Sequence, residues 1–309
     1  MVRATARDPA GWMTLSPLSR AQARNSLVQA RVLVASLRRP RYEILAVPGA
    51  VDEVSEHVPP EITVTVTTSP RRPIEATIEA VEELVRAGYP AVPHLAARQV
   101  VDQMHLVDLL ERLRSAGVTE VFVIAGDGDP VGTYPDSVAL LAAMADLDHG
   151  LARIGVGGYP EGHPKIDDVA LGQALRAKAQ HASYAVTQMC FDPGAVSAWV
   201  LRIRKDGIGL PVYVGLAGVV DRRRLLRIAT RIGVGQSAHF LRRHRGSALR
   251  LAVPGAYRPD RLISALADDL GRPGRGVVGL HLYTLGNVAA TERWRRQLLQ
   301  RLGVAERLQ

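Results

Sequence analysis

The chain reads as α/β, a single (β/α)8 barrel behind an N-terminal leading helix. Two observations lead there: short β-branched runs alternate with helical patterns along almost the whole chain, and eight such strands can be counted, nearly all followed by a helix. A third is length, since 309 residues with 47% hydrophobic content suffice for one large closed core. Residues 1–16 carry no periodicity and are expected to form a flexible arm, leaving 17–309 as one barrel domain.

The leading helix is expected from about Ser16 to Arg38, where Leu18, Ala21, Leu27, Val28, Val32, Leu33 and Leu37 recur at helical spacing until Pro40 stops them. Strand one is Tyr42–Pro48, and strand two is the alternating run Ile62–Thr67. A helix over Pro73–Ala87 carries Ile74, Ile78, Val81, Leu84 and Val85 on one face and closes at Gly88. Ala91–Leu95 is strand three, a helix follows over 98–115, and Glu120–Ala125 is strand four, running into Gly126-Asp127-Gly128-Asp129-Pro130.

A helix near 134–146 leads to strand five, the glycine-rich run beginning at Ile154. It collides with Tyr159-Pro160-Glu161-Gly162-His163-Pro164, where two prolines and a glycine forbid both strand pairing and helix, so a rigid polar loop is expected. A helix over 167–181 precedes strand six, Tyr184–Met189, and one over 193–205 precedes strand seven, Pro211–Leu216. Residues 220–272 are arginine-rich and helical in pattern, longer than one crossover needs. Strand eight is Val277–Thr284, and a helix over 288–302 closes the chain.

Composition excludes several classes. No run of about 18 apolar residues occurs and the first residues lack a leader-like pattern, so no membrane span and a cytoplasmic location are expected. The single cysteine, Cys190, rules out an internal disulfide and a cysteine-rich metal site; in its apolar run it reads as a buried, inert thiol. Formal charge is +9, and of the 39 basic residues only Lys165, Lys178 and Lys205 are lysine. The arginine clusters Arg222-Arg223-Arg224 and Arg242-Arg243-His244-Arg245 lack interleaved aromatics and any nucleic-acid motif. A solvated basic surface is the better reading, with anionic small substrates as its second use.

In a barrel, polar residues at the carboxyl ends of strands converge on one face. The set here is Glu43, Thr65, His94, Asp127, Tyr159 with His163, Gln188 and Tyr283. Each has a plain structural reading as well: Glu43 at a strand edge, His94 a satisfied core histidine, Asp127 a turn or capping residue. Together they exceed what packing requires and point to a site. No phosphate-binding loop, nucleophile elbow or metal-ligand spacing is present, so metal is not expected. What remains is a carboxylate pair, Glu43 and Asp127, with amide and phenol groups, which suits proton transfer and recognition of a nitrogen heterocycle.

Tyr159-Pro160-Glu161-Gly162-His163-Pro164, Thr187-Gln188 with Phe191-Asp192, Pro93-His94-Leu95, Gly126-Asp127 and His281-Leu282-Tyr283-Thr284-Leu285 stand in the order and strand positions of methylenetetrahydrofolate reductases, which the chain resembles from about residue 42 onward. The loop is the specific part; the other strings persuade by their order. The resemblance implies a barrel that reduces 5,10-methylenetetrahydrofolate to 5-methyltetrahydrofolate with NADH or NADPH, normally through bound FAD. By position it implies Glu43 as general acid, Asp127 and Gln188 as pterin contacts with Tyr283 beside the substrate, and Thr65, His94, Tyr159, His163 and Arg176 on the cofactor side.

Departures from the family pattern concentrate on groups that would grip FAD. Ala125 stands where an arginine is expected, Ala170, Gln173 and Ala177 replace polar or basic positions around Arg176, an aromatic is replaced by Arg222, and Gly286-Asn287 replaces Asn-Arg. The expectation is a diverged, flavin-free reductase passing hydride directly from NADH to the folate, with a polyglutamate tail as a partner for the basic surface. The alternatives are a conventional FAD enzyme, with Arg176 and Lys178 holding the flavin, and a non-catalytic folate-binding or regulatory barrel. Nucleic-acid binding through the arginines stands behind both, and oligomeric state is left open.

Overall fold

The computed structural model describes residues 17–69, 71–231 and 256–307. The expected arm at 1–16 and the cluster Arg242–Arg245 lie outside these residues. Eight parallel strands close into a barrel: β1 (Arg41–Leu45), β2 (Thr63–Thr67), β3 (Ala91–Ala96), β4 (Glu120–Ile124), β5 (Arg153–Gly158), β6 (Tyr184–Thr187), β7 (Val212–Ala217) and, last, Val277–Tyr283. Two short strands precede that last one, β8 (Val220–Asp221) and β9 (Ala256–Tyr257), which pair antiparallel as a separate ribbon, so the closing barrel strand is β10. β1 pairs with both β2 and β10, which is the closure of the ring.

The helices are α1 (Pro17–Arg38), α2 (Ala50–His57), α3 (Glu75–Arg86), α4 (Gln103–Ser115), α5 (Ser137–Ala145), α6 (Asp168–Lys178), α7 (Pro193–Lys205) and α8 (Arg222–Arg231). Two short helices, α9 (Asp260–Ala265) and α10 (Ala267–Leu270), and the long α11 (Val288–Arg307) complete the set among the described residues. Ile78, Val81 and Leu84 of α3 and Leu106, Leu109, Leu110 and Leu113 of α4 are buried, the helical spacing that seats each helix on the barrel wall. Leu33, Val34 and Leu37 bury α1, which packs on β10, α10 and α11.

Carboxylates start α4, α5, α6 and α7, and Asp221 starts α8 in the same way. Asp102, Asp136, Asp167 and Asp192 each accept a backbone N–H in the first turn of the helix that follows. Each such cap contributes about 1 kcal/mol and fixes where the loop ends. Since these loops leave the carboxyl ends of β3 to β6, the caps also hold the walls of the barrel mouth.

Three elements depart from the sequence reading. Within the stretch read as helical over 220–272, β8 and β9 pair as a ribbon, because two residues per strand leave no periodic signal; residues 232–255 of that stretch lie outside the described residues. The segment after β1 contains α2, which was not expected; only Val54 of it is buried, too little for a periodic signal between Pro48 and Pro59. The helix expected over 98–115 begins at Gln103, after a 3-10 turn over Ala97–Gln99. Among the described residues no helix is long and apolar enough to cross a membrane.

Candidate active site at the carboxyl end of the barrel

Side chains alternate along each strand between the surrounding helices and the barrel interior. Tyr42 points outward, its hydroxyl donating to Glu292 Oε2 at 2.7 Å, so Arg41 and Glu43 point inward. Register sets Glu43 level with Thr65 on one side and Tyr283 on the other, and His281 level with Arg41. Two polar layers result.

The lower layer closes the amino end of the barrel. Arg41 pairs with Glu120 at 2.7 Å and donates to the Tyr184 hydroxyl at 3.1 Å, and Arg153 reaches the other Glu120 oxygen at 3.2 Å. The Arg41 guanidinium lies 4.9 Å from the Tyr184 ring centroid and 5.2 Å from that of Tyr213, which adds cation–π attraction. Gly155 makes room for this stack, since a Cβ there would overlap the Tyr184 ring.

The upper layer holds the acid. Glu43 Oε2 lies 3.0 Å from His281 Nε2 and 3.7 Å from His94 Nε2. Burial raises the Glu43 carboxyl from 4.5 to about 7, with His94 pulling weakly the other way. Burial also pushes His94 down to about 4, against the pull of Glu43, and His281 down to about 3, helped by the Arg41 charge. Near neutral pH both imidazoles are therefore uncharged while the carboxyl is close to its midpoint. His94 rests on Phe122 at 4.7 Å between centroids, and neither of its ring nitrogens has a hydrogen-bond partner. Among the described residues no cluster is arranged to hold a metal ion.

The rim is built by the proline-bounded loop. The rings of Tyr159 and His163 meet edge to face at 5.4 Å. The Tyr159 phenol is raised by burial and then by the charge of exposed Asp127; His163 is lowered by burial and by Lys165, with Asp127 opposing. Glu161 takes the backbone N–H groups of Phe191 and Asp192 at 2.6 and 2.7 Å, tying this loop to the one after β6. Gln188, half-buried at the end of β6, has its amide oxygen on the N–H of Met189 at 2.8 Å. Thr65 is 1% exposed and its hydroxyl donates to the Tyr42 carbonyl at 3.2 Å, so its contribution to the mouth is shape rather than a free hydroxyl.

Glu43, Thr65, His94 and Tyr283 thus gather at the floor, and Asp127, Tyr159 and His163 at the rim. Arg176 stands apart, exposed on α6. Lys178, two residues on, is buried and spends its ammonium on the Gly157 carbonyl at 2.8 Å, its pKa lowered to about 8 by burial. His281 escaped the sequence reading as a candidate, as did the tie that Glu161 makes to the loop after β6 and the inward turn of Lys178. His281 was legible in one respect, because it stands two residues before Tyr283 and shares its face.

Fold and site together define a parallel barrel whose ionisable groups gather at the carboxyl ends of its strands, the design through which barrel enzymes work. The chain belongs to the methylenetetrahydrofolate reductase family, whose model matches residues 46–299, a span that begins just beyond Glu43. It is 28% identical over 221 residues to methylenetetrahydrofolate reductase 1 of Schizosaccharomyces pombe, covering 64% of this chain and 33% of that protein. It is 24% identical over 208 residues to the Caenorhabditis elegans protein named "Probable methylenetetrahydrofolate reductase (NADPH)", covering 63% and 30%. The matched region is thus about a third of the length of these relatives. Among solved structures, the tryptophan synthase alpha chain from Legionella pneumophila matches with a TM-score of 0.48 and 13% identity, over 91% of this chain and 97% of that one, a likeness that carries no functional argument.

Proposed function

We propose that this chain reduces 5,10-methylenetetrahydrofolate to 5-methyltetrahydrofolate, with hydride taken directly from NADH or NADPH. The observation that carries the reading is Glu43, a carboxyl held near pKa 7 by burial at the carboxyl end of the barrel. Opening the methylene bridge breaks a C–N bond, and the departing nitrogen needs a proton as it takes the bonding pair. Glu43 provides it, and the iminium left behind accepts a hydride at carbon. The dihydronicotinamide supplies that hydride and leaves oxidised. Exposed Asp127 balances positive charge developing on the pterin, Gln188 offers its amide to the pterin edge, and Tyr159 with His94 shapes the slot for a planar ring.

The family resemblance implies FAD, and the residues present are a poor match to its diphosphate. Ala125 and Ala177 offer no cation where the family pattern has one, Ala170 offers no polar group, Arg176 is left as the one exposed member of its basic pair, and Lys178 is turned inward onto Gly157. Each missing charge-assisted contact is worth roughly 1.5–3 kcal/mol, so several together reduce flavin affinity by orders of magnitude.

A spectrum of the purified protein, followed by NADH oxidation with methylenetetrahydrofolate and no added flavin, tests the reading. Turnover without a flavin band is expected. Strict dependence on added FAD would return the chain to the conventional flavoenzymes, and folate binding without turnover would make it a binding barrel.

A further inference from the structure

His281 and Glu43 are 238 residues apart in the chain, and the imidazole is 1% exposed, so its position is built rather than incidental. It approaches one carboxyl oxygen only. Oε2 faces His281 at 3.0 Å and His94 at 3.7 Å, whereas Oε1 has no hydrogen-bond partner among the described residues and the side chain keeps 12% of its surface open. The far nitrogen of His281, Nδ1, is buried and unpartnered. A bare lone pair left there is a smaller loss than a buried N–H would be, because the nitrogen that does have a partner is the one facing the carboxyl.

We propose that His281 is the positioning residue of the acid: it carries its proton on Nε2, donates it to Glu43 Oε2, and so leaves Oε1 as the oxygen that bears the transferable proton. The inference rests on the proton-donor reading of Glu43. When Oε1 releases its proton to the departing nitrogen, the charge left on the carboxylate meets a donor already in place, and the bond becomes charge-assisted. His281 itself neither gains nor loses a proton. The other groups facing the pair are Arg41 one pleat below on β1, His94 from β3, and Tyr283 from β10, whose phenol is in turn influenced by Tyr159 and Cys190. Arg41 disfavours a cationic imidazole at both histidines, which keeps the proton on the carboxyl.

The test follows the Glu43 carboxyl by 13C NMR in protein labelled with 13C-glutamate, assigned by Glu43→Gln and titrated without substrate. His281→Leu removes the donor and is expected to raise the Glu43 midpoint by about one to two pH units, while His281→Gln, which keeps an N–H, returns it toward the wild-type value. The descending limb of kcat against pH should move in step. An unmoved midpoint in a folded His281→Leu protein overturns the proposal. Ring 15N shifts of the wild-type protein decide the point without any variant, because a proton found on Nδ1 between pH 5 and 8 overturns it and one on Nε2 supports it. If the titrations behave as expected and folate is not reduced, the proton-donor reading fails and the pairing stands.

Discussion

The hydroxyl of Tyr283 donates to the carbonyl of Thr187 at 3.0 Å, reaching from β10 to β6 across Gly215 on the strand between them. A Cβ at 215 would overlap the Thr187 oxygen and come within 2.7 Å of Tyr283 Cε2. Gly215→Ala is therefore expected to lose about 1–3 kcal/mol by overpacking, and Tyr283→Phe about 1 kcal/mol by losing one hydrogen bond. Denaturant unfolding checks the order, and a Gly215→Ala protein as stable as wild type would contradict the packing of the mouth.

Glu43→Gln is expected to abolish folate reduction while leaving NADH affinity intact. In the wild-type protein, turnover should fall as pH rises through about 7, where the carboxyl ionises. Undiminished turnover in the variant would remove Glu43 from the mechanism.

The same substitution has a stability signature. The Glu43 pKa is raised in the fold, from 4.5 to about 7, so its contribution is fully present below 4.5 and lost as pH rises through 7. The loss is on the order of 3 kcal/mol, and Glu43→Gln should therefore be more stable than wild type at pH 8 but not at pH 4. His94 and His281 act in the opposite sense: their folded values lie below 6.5, so stability falls as pH drops from there toward 4 and 3. Unfolding of both proteins across pH separates the two trends.

Glu161→Ala should release the loop after β6. Two charge-assisted bonds of roughly 1.5–3 kcal/mol each are involved, and Glu161→Gln, which keeps an acceptor, should lose less. KM for the folate is expected to rise more than kcat falls, because Gln188 stands on the loosened segment. Equal kinetics in the two variants would show that the tie does not position the site.

Arg223 and Arg224 begin α8 with their backbone N–H groups on Asp221 Oδ1, at 3.0 and 3.1 Å, and their side chains exposed. If this surface meets a polyglutamate tail, KM should fall with tail length and rise with salt. Replacing both arginines by glutamine should flatten both trends, by a few-fold in KM at about 0.5–1 kcal/mol per charge. Insensitivity to tail length in the wild-type protein would leave the arginines as solvation only.

The barrel was legible because β-branched runs such as Thr63–Thr67 and helical faces such as Ile78-Val81-Leu84 carry their own periodicity. The ribbon of Val220–Asp221 with Ala256–Tyr257 was not, since two residues per strand leave no pattern and their pairing is non-local. Glu43, His94, Asp127 and Tyr159 were found by asking which polar residues end strands. His281 was passed over because it stands mid-strand between apolar neighbours, and the inward turn of Lys178 was missed because a helix pattern does not show where a long side chain turns.

The sequence by itself determined the alternation of elements, the polar strand ends and the proline-bounded loop, all properties of residues close together in the chain. The tertiary structure alone decided that β1 closes against β10 in the register that sets His281 Nε2 3.0 Å from Glu43 Oε2. It also decided the acidity of that carboxyl, because the energy of a buried charge depends on the surroundings that closure of the barrel imposes, and no local pattern encodes them.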